Sequence, residues 1–545
     1  MSTSAHFLLR HFDRLAEAPG GIAKLRALLL QLAVEGKLGT QNPKDEPAEK
    51  LRDRIAAEKK RLLAAGKLGR DKEWSQNEDS APAFDLPASW VFSTLAEIGS
   101  INPRNDADDD QDASFVPMKL INAELRQPHG HEVRKWAEIK KGFTHFAEGD
   151  VTLAKITPCF ENRKSSVMRG LANGIGAGTT ELHVVRPVLV DPDYILVFLK
   201  SPLFVEAGIP EMTGTAGQKR VPTSYFAASP FPLPPLAEQR RIVAKVEELM
   251  GLCDALEAAQ QEREAVRTRL RTSALHQLAS PDSDSKPAAF VLKNLSRFTT
   301  EPEDLADIRS SVRQLVVEGK LSPQSTKSAA KSLDTDDNDG PYAIPVLWRW
   351  DTMQQLSEVA GGIQKTPHRT PRDNPVPYLG VGNVYRGRLD LTKVKEFELQ
   401  EGELERWCLK PGDLLVIEGN GSITEIGRCA LWNGEIKNCV HQNHIIRCRP
   451  SERETGPYIL LFLNSPAGMD EMQRLAITSS GLFSLSVGKI RQIKIPLPPL
   501  AEQRRIVAKV DELMAVLDAL EATLTAARTT SEKLLAATIA KLHAA

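Results

Sequence analysis

The sequence predicts a mixed α/β fold. Two α/β domains are joined by two long helices that form an antiparallel coiled coil, all on a pseudo-twofold internal repeat. Three observations predict it. Residues 232–250, PLPPLAEQRRIVAKVEELM, return at 496–514 as PLPPLAEQRRIVAKVDELM, with only Glu247 and Asp511 differing. In each copy apolar residues recur at alternating four- and three-residue spacing, the pattern of a coiled-coil seam. Each copy is preceded by a stretch in which short apolar strands alternate with Gly, Asn and Pro turns.

The repeat extends upstream in register, with YILVFLKSP from Tyr194 matching YILLFLNSP from Tyr458 at a constant offset of 264 residues. A second repeat is QLAVEGKL from Gln31 and QLVVEGKL from Gln314, and a looser one is LPASW at 86–90 and IPVLW at 344–348. A period this long marks duplicated domains rather than a solenoid. Between the shared segments, residues 100–185 and 360–440 share little beyond Gly-Asp and an apolar strand, GDVTLAKI at 149 and GDLLVIEG at 412. One frame with two contents predicts a scaffold that presents two different surfaces. The alternative, a duplicated enzyme domain with drifted loops, requires catalytic residues in at least one half.

In chain order, residues 1–83 read as an N-terminal helical region with a helix from Ala48 to Leu68. Residues 84–234 form the first α/β domain, with strands in VTLAKI and ELHVVRP. The PLPPL prolines cannot continue a sheet and force an extended approach, so a helix starts just after them, with Pro235 or Pro499 near its first turn. The first long helix, 235–278, carries the seam Ile242, Val246, Leu249, Cys253 and Leu256. Residues 279–343 form a linker whose Ser-, Pro- and Asp-rich stretches at 279–290 and 322–340 flank a short helix from Asp304 to Leu321. The second α/β domain, 344–498, has strands in DLLVIEG and HIIRCRP, and the second long helix, 499–545, carries Ile506, Val510, Leu513, Leu517, Leu520 and Leu524. The structural alternative is that each helix packs on its own domain.

Of 545 residues, 41% are hydrophobic and 26% charged, ordinary for a globular protein. No apolar run approaches the roughly 18 residues of a membrane span; Leu28 to Val34 is interrupted by Gln31. The start, MSTSAHFLLRHFDR, lacks the order of a signal peptide, so a cytoplasmic location is expected. A net charge of -1 and a pI near 6.9 do not by themselves point to nucleic acid. None of the six cysteines (Cys159, Cys253, Cys408, Cys429, Cys439, Cys448) forms a Cys-x-x-Cys pair. The last four lie near His441 and His444 without a zinc spacing, so no metal is expected and buried reduced thiols are. There is no phosphate-binding Gly-x-x-x-x-Gly-Lys-Ser/Thr loop, no Gly-x-Gly-x-x-Gly after a strand, no Gly-x-Ser-x-Gly elbow and no His-Glu-x-x-His. The Asn/Asp-Pro-Pro-Tyr/Phe motif of amino-methyltransferases is also missing, and the glycine-rich GNGSITEIG at 419–427 reads as a loop.

The paired PLPPLAEQRRIVAKVEELM and PLPPLAEQRRIVAKVDELM segments resemble the recurrent region of Type I restriction–modification specificity subunits. So do LLLQLAVEGKLGTQNPKDEPAEKL, TPCFENRKS at 157–165, GTTELHVVRP at 178–187, GQKRVP at 217–222 and HQNHIIRCRP at 441–450. The resemblance spans nearly the whole chain. It implies that each domain is a target-recognition domain reading one half of a bipartite, asymmetric double-stranded DNA site, with the coiled coil fixing the half-site spacing. It also implies a chain that catalyses nothing and holds no cofactor. Two methyltransferase subunits would dock on it with S-adenosylmethionine and N6-adenine chemistry, and restriction subunits would add ATP- and Mg-dependent cleavage. The second EGKL segment departs from the first in lacking the DEPAEKL helix.

Base reading needs Arg, Lys, Asn, Gln or His on exposed loops, whereas phosphate contacts need Lys or Arg. In the first half the candidates are Lys155, Asn162, Arg163 and Lys164, then Gln218, Lys219 and Arg220. In the second they are Gln364, Lys365, His368 and Arg369, then Asn383, Tyr385, Arg386, Asn420, Gln442 and Asn443. Arg240, Arg241, Arg504 and Arg505 recur identically, whereas sequence readers should differ between halves, so they are assigned to the scaffold or to subunit docking. Two other readings stay open: a coiled-coil scaffold for protein partners, and a stand-alone DNA-binding repressor.

Overall fold

The computed structural model describes residues 12–13, 15–69, 74, 84–215, 217–279, 294–320, 340–342, 344–479 and 482–544. Both Ser-, Pro- and Asp-rich linker stretches therefore lie almost wholly outside the described residues. The chain divides into two compact units, Met1–Glu262 with Arg528–Ala545, and Arg263–Ala527.

In unit 1, helix α1 (Gly21–Val34) buries ten of its 14 residues. A helix that is apolar on most faces needs cover on several sides, and α1 packs on the domain helices Pro192–Lys200 and Pro202–Glu211. Helix α2 (Ala48–Ala64) follows, four residues shorter at its end than the sequence suggests. The domain contains two four-stranded sheets. One is antiparallel, in the order Gly99–Ile101, Leu182–Pro187, Val151–Ala154, Ser165–Val167; the other runs Glu132–Lys135, Asp112–Val116, Ile175–Gly178, Thr144–Ala147 with one parallel pair. Strands Val91–Thr94 and Pro230–Leu233 pair antiparallel, Val91 opposite Leu233, so the first and last strands of the domain close it. Helix α3 (Leu236–Ala279) then begins.

Unit 2 repeats this plan. Helix α4 (Leu305–Val317) replaces the expected Asp304–Leu321 span and matches α1. The antiparallel sheet is again four-stranded, Ser357–Ala360, Ile445–Pro450, Leu414–Ile417, Cys429–Leu431, while the second sheet has three strands, Lys395–Glu398, Pro375–Leu379, Val440–His441. Strands Arg349–Thr352 and Lys494–Leu497 close the domain, and helix α5 (Leu500–Ala544) follows.

The prolines of PLPPL behave differently from the expectation. Pro232 pairs with Phe92 and Pro496 with Trp350, so the first proline of each motif lies within a strand. In a two-stranded sheet every strand is an edge, and a missing N–H can face away from its partner. The stop comes three residues later, where Pro235 and Pro499 offer their carbonyls to the first turns of α3 and α5.

Side-chain staples recur at matched positions. Gln31 Oε1 accepts from Leu203 N at 2.9 Å, and Gln314 Oε1 from Ala467 N at 3.0 Å, each satisfying an otherwise orphaned N–H at a helix start. Tyr194 Oη donates to Pro232 O and Tyr458 Oη to Pro496 O. The Gly-Asp motif also resolves physically. Gly149 and Gly412 adopt positive φ (84° and 99°), which only glycine takes cheaply. The aspartates after them are buried and bind Arg186 and Arg449 on the neighbouring strand.

Most seam residues are buried, with Leu256, Leu520 and Leu524 half-buried, but the heads of the long helices do not pack as a pure two-helix seam. Ile242, Val246, Leu249 and Cys253 join one core with Leu25, Leu29 and Leu32 of α1. Leu513 and Leu517 cluster with Leu305, Ile308 and Val312 of α4. Arg26 of α1 binds Asp254 and Glu257 of α3, both at 2.7 Å, and Arg309 of α4 binds Asp518 and Glu521 of α5 at 2.6 and 2.7 Å. A four–three spacing specifies a narrow apolar stripe but not which helix covers it. The tails supply the antiparallel part. Leu275 of α3 packs on the α4–α5 cluster with Leu520 and Leu524, and Leu535 of α5 is fully buried in the core of unit 1.

Candidate nucleic-acid interface

In unit 1 the two candidate loops meet. Thr157 N donates to Lys219 O at 2.9 Å, Val221 N to Lys155 O at 2.9 Å, and Ile156 bridges to Arg220. Residues 155–164 and 217–220, far apart in sequence, thus form one surface. Asn162, Gln218 and Lys219 are exposed on it. Lys155 is half-buried and lies close enough to Glu181 to lower its carboxyl, behind the larger effect of Arg220. Arg220 itself forms a two-pronged bond to Glu181 at 2.9 and 2.8 Å, and so braces the loop. Arg163 sits at φ 59°, and burial pushes its guanidinium pKa down. Its carbonyl is held by Lys200 Nζ at 3.0 Å, which also donates to Asn122 O and Ala123 O. Lys164 Nζ points to Met118 O at 3.4 Å, a long contact.

Lys200 was not legible as a site residue. It lies in an apolar helix, and burial draws its amine down to about 7. Three carbonyls from two loops converge on it, so it ties the candidate reading loop to residues 122–123.

In unit 2 a cleft of about 830 Å³ gathers Lys365, Arg369, Asn383 and Gln442 from three separate segments. Lys393 and Lys395 line it as well, and so does Tyr378, whose buried hydroxyl has no hydrogen-bond partner among the described residues. The sequence reading missed these three, although KVKEF carries two lysines on alternate residues where a strand begins. Tyr378 stacks on Phe397 with centroids 4.5 Å apart, and burial raises its phenol to about 12. Two cleft candidates are braces. Asn383 takes Gly380 N and donates to Asp390 O and Lys393 O, and Arg369 grips Glu403 at 2.7 and 2.8 Å.

The other candidates lie apart. His368 is exposed beside the cleft, and Gln364 lines a neighbouring hollow with Glu403. Tyr385 lies under Arg388 at 4.4 Å, and Arg386 turns to Thr424 O at 3.1 Å. Asn443 is half-buried with its N–H on Ile363 O. Asn420 occupies the short strand Gly419–Asn420, and its side chain lies outside the described residues.

On the frame, Arg240 and Arg505 are exposed. Arg241 binds Asp45 and, at 3.0 Å, Thr40 O, whereas Arg504 binds Glu454. Asp45 belongs to the segment that the second half lacks, so the two LAEQRR motifs have different partners.

His441 is buried with Nδ1 2.9 Å from Ile445 O, and His444 meets Glu418 at 2.9 Å. Burial pushes the thiols of Cys429 and Cys439 up to about 12 and that of Cys253 to about 11, keeping them protonated. Among the described residues no group of three or more His, Cys, Asp or Glu side chains is placed to hold a metal. Among them no helix is long and apolar enough to cross a membrane.

The sequence matches the Type I restriction modification DNA specificity domain twice, at residues 87–265 and 350–527. It is 34% identical to the EcoEI specificity subunit of Escherichia coli, over 94% of this chain and 92% of that one. It is 33% identical to the EcoAI specificity subunit of Escherichia coli, over 91% of this chain and 89% of that one. The crystal structure of the HsdS subunit from Thermoanaerobacter tengcongensis aligns with 84% of this chain and 98% of its own, at 19% identity and a TM-score of 0.45. With two copies of the domain and relatives matched almost end to end, the chain belongs to the specificity subunits of Type I restriction–modification enzymes, whose role is to recognise DNA sequence.

Proposed function

We propose that the chain reads a split, asymmetric DNA site, one half with each target-recognition domain, and carries out no chemistry of its own. The observation that supports this best is the pairing of one repeated frame with two unlike polar surfaces. The frame repeats down to single hydrogen bonds, such as those of Gln31 and Gln314. The surfaces do not repeat: Asn162, Gln218 and Lys219 occupy a loop pair in one unit, and Lys365, Lys393, Lys395 and Gln442 occupy a cleft in the other. Cations there suit phosphate oxygens, and Gln and Asn amides suit base edges. The catalytic work falls to the partners. Two methyltransferase subunits supply S-adenosylmethionine-dependent adenine methylation, and restriction subunits supply ATP- and Mg-dependent cleavage. The chain itself holds no cofactor and acts in the cytoplasm.

The test is methylation mapping. The chain is co-expressed with the methyltransferase subunit of its own operon in a methylation-free host, and modified adenines are sequenced. The expected result is one motif of two short half-sites around a fixed nonspecific gap. A complex that forms but modifies no adenine would return the protein-scaffold or repressor reading.

A further inference from the structure

A guanidinium partly withdrawn from water without a paired carboxylate is costly, and unit 2 contains two half-buried groups of this kind in one place. Arg313 of α4 and Arg386 of the hairpin Val384–Leu389 line a cavity of about 240 Å³. Its walls are mostly apolar and come largely from helices, including Leu460 and, from α5, Val507, Val510 and Met514, with Asn464 as a polar neighbour. Arg386 uses Nη2 on Thr424 O, but its Nη1 is fully buried with no acceptor among the described residues. Arg313 has no hydrogen bond or ion pair among the described residues, and its nearest charged neighbours include two further cations, Arg309 and Arg386. The nearby carboxylates Asp518 and Glu521 are already committed to Arg309. Asp511 lines the rim but is exposed and pairs with neither arginine.

The matched region of unit 1 is balanced. Leu30 stands where α4 has Arg313, and it is buried in the apolar core. The domain arginine that reaches the long helix there, Arg126, is paired with Asp254 at 2.7 Å. The frame therefore needs no free arginine at this point, and the second copy has acquired two.

We propose that this cavity is a socket for an acidic side chain of a protein partner, with the carboxylate between Arg313 and Arg386 and the stem against the apolar wall. A carboxylate accepts from guanidinium groups in short, charge-assisted bonds, and arginine is among the residue types enriched as anchors of protein interfaces. The apolar helical walls speak against a DNA phosphate, which is normally met on exposed polar surface. The inference rests on the proposed function only for the identity of the partner, the modification subunit.

The test uses the full chain with Arg313→Leu, which restores the residue type of the first half, and Arg386→Gln, which keeps a neutral donor. Thermal unfolding is compared in glutarate and in chloride at equal ionic strength, and affinity for the co-expressed modification subunit is measured by titration calorimetry. Glutarate is expected to stabilise the native sequence and neither variant, and each variant to lose about tenfold or more in partner affinity. No glutarate effect on the native sequence, or variants with unaltered partner affinity, would overturn the socket. So would a DNA-binding salt slope that falls by about one in the variants, the mark of a lost phosphate contact. Should Arg313→Leu fail to fold, Arg386→Gln decides alone. Should the native chain bind no modification subunit, the functional reading fails and the glutarate melt still judges the socket.

Discussion

Two buried histidines illustrate what individual residues contribute. His183 stacks on Phe226 and hydrogen-bonds to Val221 O through Nε2, while His441 does so to Ile445 O through Nδ1. In each the second ring nitrogen is buried without a partner among the described residues, so a second proton has nowhere favourable to sit. Burial draws both to about 4 from 6.5. The unfolded chain takes up these protons below pH 6.5, and the folded chain refuses them until about pH 4. Stability is therefore complete above pH 6.5 and falls as pH drops through that window, by about 3 kcal/mol per histidine. His183→Gln and His441→Asn, which keep the bonded nitrogen, are expected to flatten the fall in urea-unfolding stability between pH 7 and pH 5. An unchanged slope in the double variant would show that other groups set the acid limb. His441 reads as a core or turn histidine from its apolar neighbours, but which nitrogen of either histidine is bonded is set only by the fold.

At the scale of elements, the short helices α1 and α4 organise each long helix. Two kinds of contact hold α4 to α5, and their magnitudes differ. The Arg309 ion pairs reach partners that are half or more exposed, and such pairs are worth about 1 kcal/mol or less. Leu513, buried between Leu305, Ile308 and Val312, is worth about 2–5 kcal/mol against alanine. Leu513→Ala should therefore lower unfolding stability well beyond Arg309→Ala in denaturant titration. The reverse order would mean that the repeated arginine, not the apolar stripe, fixes the docking. The stripe was visible in the sequence, as was the helix that covers it. That the two belong together was not, because α4 is separated from α5 by the whole second domain and only folding brings them into contact.

For the whole molecule, each unit is one closed domain plus the head of one long helix and the tail of the other. The domain ends pair with each other, Val91 opposite Leu233 and Arg349 opposite Leu497, so the chain enters and leaves each domain at one place. A domain tethered this way can be exchanged without disturbing the frame. Replacing residues 84–230 with the matching segment of another family member is expected to change one half of the methylated motif and leave the other half and the gap unchanged. Methylation mapping of the chimera checks this, and a change in both halves would refute independent reading.

The sequence by itself determined the duplication, the order of the elements, the two long helices and the family. These depend on local spacing and on repeated segments, which are carried by the chain directly. It also named loops that the fold brings together, including the 155–164 and 217–220 pair. It could not separate readers from braces. Arg220, Arg369 and Asn383 look like base-reading side chains, yet they hold Glu181, Glu403 and the carbonyls of Asp390 and Lys393. A polar side chain on a loop can satisfy the loop's own backbone and carboxylates or a ligand equally well, and only the position of its neighbours decides. Tertiary structure alone turned Arg386 toward the frame and left it facing Arg313, because that meeting joins a domain hairpin to a helix 73 residues earlier in the chain.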